Sequence, residues 1–490
     1  MDSVIFGADI TTLLDLTPRD FQDNHFFPLD AQPTWWLPTP DRKMQAISLS
    51  LQQFPFRGPT SFGQRFTFDV PSIGCGDILM STLLQIELGH WLDDTTLCRF
   101  QTGQYVYQPG QTIWNYANSL GTVLIERAEL EVNGVTIESI DGDFINIFSL
   151  LNTPVQTQYG ISVDGVGRKP FPYTPLSTSP FPTESGSLCI PLPFFFQRIL
   201  LSEGFPLLAT KPGSVRIHIT LRPFSECVTS QRQPLTKYDT CIDSNTPLGQ
   251  TFQIIDKGYT LDESTPRTVR GSQSIPQFKK IQLITYTAHT EGSIRQAILR
   301  SPFETLVRIV ETFRFTEPLK YSLTASSEDS ILVQLPIEIN HPMEEILWVI
   351  RRKATTIQNE YTNFSSVTSH EYDPIYNRRM PLLSKASIYL NGIELIEQDE
   401  QWYRQHISRL HKGGYAAYSN YIYGYSFART PGEHQPSGTA NASKLQSVKL
   451  ALTVKHPGGE ANKEWEVLVY VVRLDWLRYQ NGLMNRIYMD

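Results

Sequence analysis

Ala128-Glu-Leu-Glu-Val-Asn-Gly-Val-Thr-Ile137 reads as a β-hairpin. Apolar and polar residues alternate on both sides of Asn133-Gly134, and both turn residues tolerate the positive φ of a type I′ turn. The pattern recurs as Ala386-Ser-Ile-Tyr-Leu-Asn-Gly-Ile-Glu-Leu395, 258 positions on (391 against 133). Asn391-Gly392 falls on Asn133-Gly134, Asp399 on Asp141, and Trp402 on Phe144. A short helical pattern follows each unit: Phe144, Ile147, Phe148 and Leu151 in one, Trp402, Tyr403, His406 and Leu410 in the other. Asn-Gly hairpins also recur by chance, so this repeat alone leaves duplication and coincidence both open. A second correspondence favours duplication: Gly76-Asp-Ile-Leu79 precedes the first unit and Glu344-Glu-Ile-Leu347 the second.

Period-2 alternation extends through the chain. Val215-Arg-Ile-His-Ile-Thr-Leu-Arg222, Leu84-Gln-Ile-Glu-Leu88 and the run from Val448 to Lys455 each present one apolar face. Val467-Leu-Val-Tyr-Val-Val472 is apolar throughout, as expected of a strand buried on both faces or at an interface. The reading is two related β-sandwich domains in tandem. The chain has 490 residues, which suits two large all-β units. The expected division is an N-terminal arm over 1–33, a first unit over 34–225, a linker over 226–275 and a second unit over 276–490. The linker is placed on the polar stretch from about Pro223, which holds Pro234, Asn245, Pro247, Ser264 and Pro266. Residues 154–187 read as a long excursion of the first unit, with 354–381 as its counterpart.

Composition excludes several classes of function. Hydrophobic residues are 40% and charged residues 19% of the chain, too apolar for disorder. The net charge of −7 argues against a general nucleic-acid coat, which needs a basic surface. The five cysteines form no CxxC pair, so buried or free thiols are expected. No signal peptide is read at the N-terminus, and no apolar run is long enough to span a bilayer.

Catalytic constellations are missing. The sequence holds no GxxxxGK[ST], GxSxG, HExxH or GxGxxG motif. No His-x-His pair exists of the kind a metal-binding sandwich uses. Glu344-Glu345 is the obvious carboxylate pair and reads as a solvated strand end. No catalytic residue, metal site or cofactor is therefore expected. Asn363-Phe-Ser365 and Asn441-Ala-Ser443 are candidate glycosylation sequons.

Arg429-Thr-Pro-Gly-Glu-His-Gln-Pro-Ser-Gly-Thr-Ala-Asn-Ala-Ser-Lys-Leu445 is the most specific segment. Physically it is a tight turn feeding a strand, with Asn441 and Ser443 able to bond nearby backbone. Its Gln435-Pro436-Ser437-Gly438, Asn441 and Ser443 resemble a signature of the major capsid proteins of nucleocytoplasmic large DNA viruses. Further segments agree in order. His341-Pro-Met-Glu-Glu-Ile-Leu-Trp348-Val-Ile350 looks like the family's strand entering its second half. Leu188-Cys-Ile-Pro-Leu-Pro-Phe-Phe-Phe196, with Phe205-Pro-Leu-Leu208, resembles the end of its first half. Asn133-Gly134 through Phe144 looks like the family's turn and following helix. The segment from Glu466 to Gly482 resembles its C-terminal strand and tail. The opening Pro33-Thr-Trp-Trp-Leu-Pro-Thr-Pro40 is only loosely similar, and the first 30 residues match nothing in the family.

The resemblance implies an all-β double jelly roll: two tandem eight-stranded jelly-roll sandwiches with long surface loops and short helices. It implies a structural subunit, not an enzyme, that forms pseudo-hexagonal homotrimers in an icosahedral shell around an internal membrane and a dsDNA genome. Expected partners are further copies of itself, neighbouring capsomers, and minor capsid and penton proteins. The internal membrane would be touched only indirectly, and nucleic acid not at all. The expected location is the virion capsid, assembled in the host cytoplasm. Two other readings fit the sequence: a minor capsid or assembly-scaffold paralogue, and a carbohydrate-binding or carbohydrate-active β-sandwich whose Tyr and Trp side chains stack on sugars.

Overall fold

Alternation carries directly into strands. Arg65–Val70 buries Phe66, Phe68 and Val70 while Arg65, Thr67 and Asp69 face outward. Burying such side chains contributes roughly 1.5–3 kcal/mol each, enough to fix which face turns inward. The computed structural model describes residues 47–72, 74–88, 112–154, 165–168, 186–198, 204–232, 253–255, 258–261, 267–268, 277–290, 292–300, 302–316, 330–357, 359–368, 379–411, 420–433, 436–455 and 465–487.

Eight strands build a first sandwich: β1 (Ile47–Pro55), β2 (Arg65–Val70), β3 (Ile78–Glu87), β4 (Ile125–Val132), β5 (Val135–Asp141), β6 (Ser187–Pro191), β7 (Val215–Leu221) and β8 (Lys280–Thr290). One antiparallel sheet runs β1-β8-β3-β6 and the other β2-β7-β4-β5. Eight more build a second: β9 (Phe303–Phe315), β10 (Ser330–Pro336), β11 (Pro342–Arg352), β12 (Leu383–Leu390), β13 (Ile393–Asp399), β14 (Ile422–Ser426), β15 (Val448–Lys455) and β16 (Trp465–Gln480). Their sheets run β9-β16-β11-β14 and β10-β15-β12-β13. Strand order repeats when eight is added to each label. Each half is a jelly roll in which strands one, eight, three and six face two, seven, four and five, and in the second half the short strands Ala440–Asn441 and Leu483–Arg486 bring the first of these sheets to six.

The duplication reaches single residues. Asn133 and Asn391 have φ of 55° and 53°, and Gly134 and Gly392 have 83° and 79°. Both hairpins carry a register shift at the same place, after Leu130 opposite Glu138 and after Ile388 opposite Ile396. A bulge repeated at the same position is a built feature. Helix α1 (Gly142–Asn152) follows the first hairpin and α2 (Glu400–Leu410) the second. The Asp141 carboxylate accepts from the Phe144 amide at 2.7 Å, and the Asp399 carboxylate from the Trp402 amide at 2.8 Å. These are matched N-caps.

Three sequence expectations fare differently. The run Val467–Val472 lies in β16, buried between β9 and β11 as expected. Residues 154–187 join α1 to β6, whereas 354–381 join β11 to β12. They are therefore different connections of the jelly roll, and the expected correspondence between them is corrected. Strand β8 follows residue 276, yet it hydrogen-bonds between β1 and β3. Residues 1–33 and most of 226–275 lie outside the described residues.

Candidate functional site

The chemistry of this chain is concentrated where the two jelly rolls meet. Strand β5 and α1 of the first roll pack on β9, β16 and β11 of the second. Asp143 in the first turn of α1 accepts from Arg351 at 2.8 Å, and Arg351 also pairs with Glu466 at 2.5 Å. Arg351 is fully buried, and burial alone would favour its neutral form. The charges of Asp143 and Glu466 outweigh that and hold the guanidinium protonated. Phe144 packs on the Tyr470 ring at 5.5 Å, and the Tyr470 hydroxyl donates to Asp141 at 3.1 Å. Burial and the neighbouring Asp143 push the Asp141 carboxyl up to about 6.

A second layer of charge lies beside the first. Glu138 of β5 is buried and accepts from the Phe195 amide at 2.8 Å, from Arg198 at 2.5 Å and from the Val310 amide of the second roll at 3.3 Å. Arg198 also donates to the Arg308 carbonyl at 2.7 Å. Arg308 in turn forms a two-pronged pair with Glu344 at 2.6 and 3.1 Å. Buried charges tolerate desolvation only when paired and hydrogen-bonded in this way.

His411, just past α2, ties the rolls together at a third point. Its Nε2 donates to Glu345 at 2.7 Å and its Nδ1 to Asn152 Oδ1 at 3.0 Å. The Asn152 amide nitrogen donates to the Phe148 carbonyl, which turns its oxygen toward the ring. Both imidazole nitrogens thus face acceptors, which suits the protonated ring. Burial opposes that charge, but Glu345 prevails and the His411 pKa is raised. The expectation that Glu344-Glu345 is a solvated strand end is therefore corrected. Both carboxylates are buried, because Arg308 and His411 come from distant segments to pair with them.

The singled-out residues do not gather into one site. Asn133-Gly134 and Asn391-Gly392 are the two hairpin tips. Trp348 is buried in β11, edge-on to Tyr403 of α2. Ser437 accepts from the Thr430 amide at 2.9 Å and donates to the Thr430 carbonyl, closing a tight loop. A Cβ on Gly438 would lie 2.6 Å from the Phe427 carbonyl oxygen. Ser443 accepts from the His341 amide at 2.9 Å, where His341 holds a φ of 76°. Asn441 bridges to Pro342 and accepts from the Ser443 amide at 3.1 Å. Pro436 is half-buried, and Gln435 lies outside the described residues. The signature loop thus clamps the strained entry to β11. Of the sequons, Asn441 is exposed. Asn363 is buried, and its amide nitrogen already donates to Glu360 and the Val367 carbonyl. That engagement argues against a glycan there.

Sequence reading missed the seam, because its pairs join residues such as Asp143 and Arg351 that lie 208 positions apart. The one available signal was the placement of Arg351 and Glu466 beside otherwise apolar strands.

Two matched jelly rolls locked by a buried charged seam define a double jelly-roll protein. The VP54 chain of PBCV-1 superposes with a TM-score of 0.63 at 17% identity, covering 92% of this chain and 99% of that one. The Faustovirus major capsid protein gives 0.61 at 13% identity, covering 98% and 99%. Two family models match in sequence: major capsid protein N-terminus over residues 43–262, and large eukaryotic DNA virus major capsid protein over residues 295–485. The major capsid protein of Phaeocystis pouchetii virus is 20% identical across 94% of this chain and 96% of its own length. That of Pyramimonas orientalis virus is 22% identical across 92% of each. The chain belongs to the major capsid protein family of nucleocytoplasmic large DNA viruses. It is a structural component of the virion capsid, not an enzyme. Among the described residues no helix is long and apolar enough to cross a membrane.

Proposed function

We propose that three copies of this chain form a pseudo-hexagonal capsomer of an icosahedral outer shell. Two like domains in each of three chains give six like corners, and such a tile packs into a hexagonal lattice. The observation that carries this reading is the match between the two rolls, which share strand order, bulge and helix cap, together with the seam that fixes them side by side. A jointed pair of domains would not hold six corners in one plane.

The first roll is taken to run from Ile47 to Thr290 and the second from Phe303 onward, because β8 completes the first pair of sheets. Residues 223–279 then belong to a connection within the first roll, between β7 and β8. In this reading the shell encloses an internal membrane and a dsDNA genome. Its further partners are minor capsid and penton proteins, and assembly takes place in the host cytoplasm. The negative net charge suits a shell kept apart from its genome. Sedimentation equilibrium of the purified full-length protein tests the reading. A mass of three chains at micromolar concentration is expected, and a strictly monomeric mass contradicts it.

A further inference from the structure

We infer that the cleft between the two rolls at the end of β16 is a binding site for a small aliphatic acid, with Lys211 and Arg300 receiving its anionic head.

The cleft has a volume of about 310 Å³. The first roll supplies Ser72, just past β2, and the segment Leu208–Pro212. The second supplies Tyr479 to Gly482, and the helix Gly292–Arg300, which joins the rolls, supplies Ile298, Leu299 and Arg300. Buried Ala209 and Tyr479, with half-buried Leu208 and Ile298, make the inner part apolar. Lys211 and Arg300 are exposed at the rim. Apolar walls with a few placed polar groups are the general form of a small-molecule site. Ser72 is 3% exposed, and its hydroxyl has no partner among the described residues. Buried hydroxyls are normally paired, so an unpaired one in a cleft marks packing that a bound molecule or its water completes.

The lysine is held in place. Its amide donates to the Gly482 carbonyl at 2.9 Å, and its carbonyl accepts from the Ser214 hydroxyl at 2.6 Å. A Cβ on Gly482, where φ is 76°, would lie 3.2 Å from the Lys211 side chain, so the lysine stem runs across the bare glycine. Arg300 ends its helix, where a cation is favourable in any case, but Lys211 has no such reason to be there. No carboxylate lines the cleft, and neither cation pairs with one among the described residues. In a chain of net charge −7, two unpaired cations on one apolar cleft select an anion.

The surroundings narrow the class of anion. A peptide strand needs a free backbone edge. Tyr479 is already paired with Phe303 on one side and Met484 on the other, and Gln480 is paired with Leu483. A nucleobase needs an open aromatic face. The Tyr479 ring is stacked on Phe303 at 4.8 Å and meets Phe205 at 6.3 Å. An aliphatic chain needs neither. The volume lies at the lower end of the small-molecule range and admits one short chain, not the two of a phospholipid.

Isothermal titration calorimetry of the full-length protein tests this with three probes. Decanoate carries head and chain, acetate the head alone, and decyltrimethylammonium the same chain with the opposite charge. One decanoate per chain is expected, with acetate and decyltrimethylammonium binding at least tenfold more weakly. Lys211→Gln with Arg300→Gln changes two exposed side chains and is expected to weaken decanoate roughly tenfold or more. Ile298→Trp, which fills the cleft from its wall, is expected to abolish binding with the thermal midpoint retained. Arg478→Gln removes an exposed cation already paired with Glu304 and should bind as wild type does. No saturable decanoate binding overturns the site. Equal binding by wild type and the Lys211/Arg300 variant overturns the role of the cations. Acetate as tight as decanoate overturns the role of the chain. Binding to phosphatidylglycerol vesicles without binding to decanoate overturns the site in favour of a membrane surface.

Discussion

The Tyr470 hydroxyl donates to the Asp141 carboxylate at 3.1 Å across 329 positions of sequence. One carboxylate therefore caps a helix in the first roll and receives a hydrogen bond from the second. Burial and Asp143 raise its pKa to about 6. An acid whose folded pKa lies above its unfolded value near 3.9 holds its proton more tightly in the fold. Its contribution is most favourable below pH ~4 and is lost as pH rises through about 6, by at most ~2–3 kcal/mol. Asn accepts the same hydrogen bonds without charge. Asp141→Asn is expected to flatten this part of the pH profile of the urea midpoint, with the α1 cap intact.

Arg351 neutralises Asp143 and Glu466 together. Arg351→Met takes the buried cation from both carboxylates and leaves Asp143 only the partly exposed Arg314, at 3.6 Å. Removing one partner of a buried pair costs about 3–5 kcal/mol. Chemical denaturation should show a loss of that size. Arg478→Met, which breaks an exposed pair with Glu304, should cost under ~1 kcal/mol.

His411 is the opposite case in chemistry but has the same sign. Its folded pKa is raised by Glu345, so its stabilising contribution is full below about pH 6.5 and is lost as pH rises through the raised value. The wild type should therefore weaken again on the alkaline side. His411→Gln should remove that slope and lower stability at pH 6, as read from the thermal midpoint at each pH.

The signature loop makes a steric prediction. A methyl group on Gly438 would meet the Phe427 carbonyl, a backbone atom that cannot swing aside. Gly438→Ala is expected to cost about 1–3 kcal/mol. Ser437→Ala removes only exposed hydrogen bonds with Thr430 and should cost less. Parallel urea titrations rank the two.

Local features were legible in the sequence and distant pairings were not. Asn133-Gly134 and Asn391-Gly392 dictate their turns by themselves. Asp141 and Asp399 dictate the helix starts, and alternation assigns the inward faces of β7 and β15. The sheet that takes up β8 is decided by partners such as Ser50 opposite Thr287, 237 positions apart, and nothing local encodes that choice. Glu344-Glu345 looked solvated because charge normally seeks water. Their partners, Arg308 and His411, reach them only through the fold. The same reason hides the seam, whose partners, such as Asp143 and Arg351, lie 208 positions apart.

Cryo-electron microscopy of the purified full-length protein tests the central claim most directly. The account predicts a three-chain particle with six similar lobes in a near-hexagonal ring, the two lobes of each chain fixed at one separation. Single-chain particles, or paired lobes at variable separation, would contradict it.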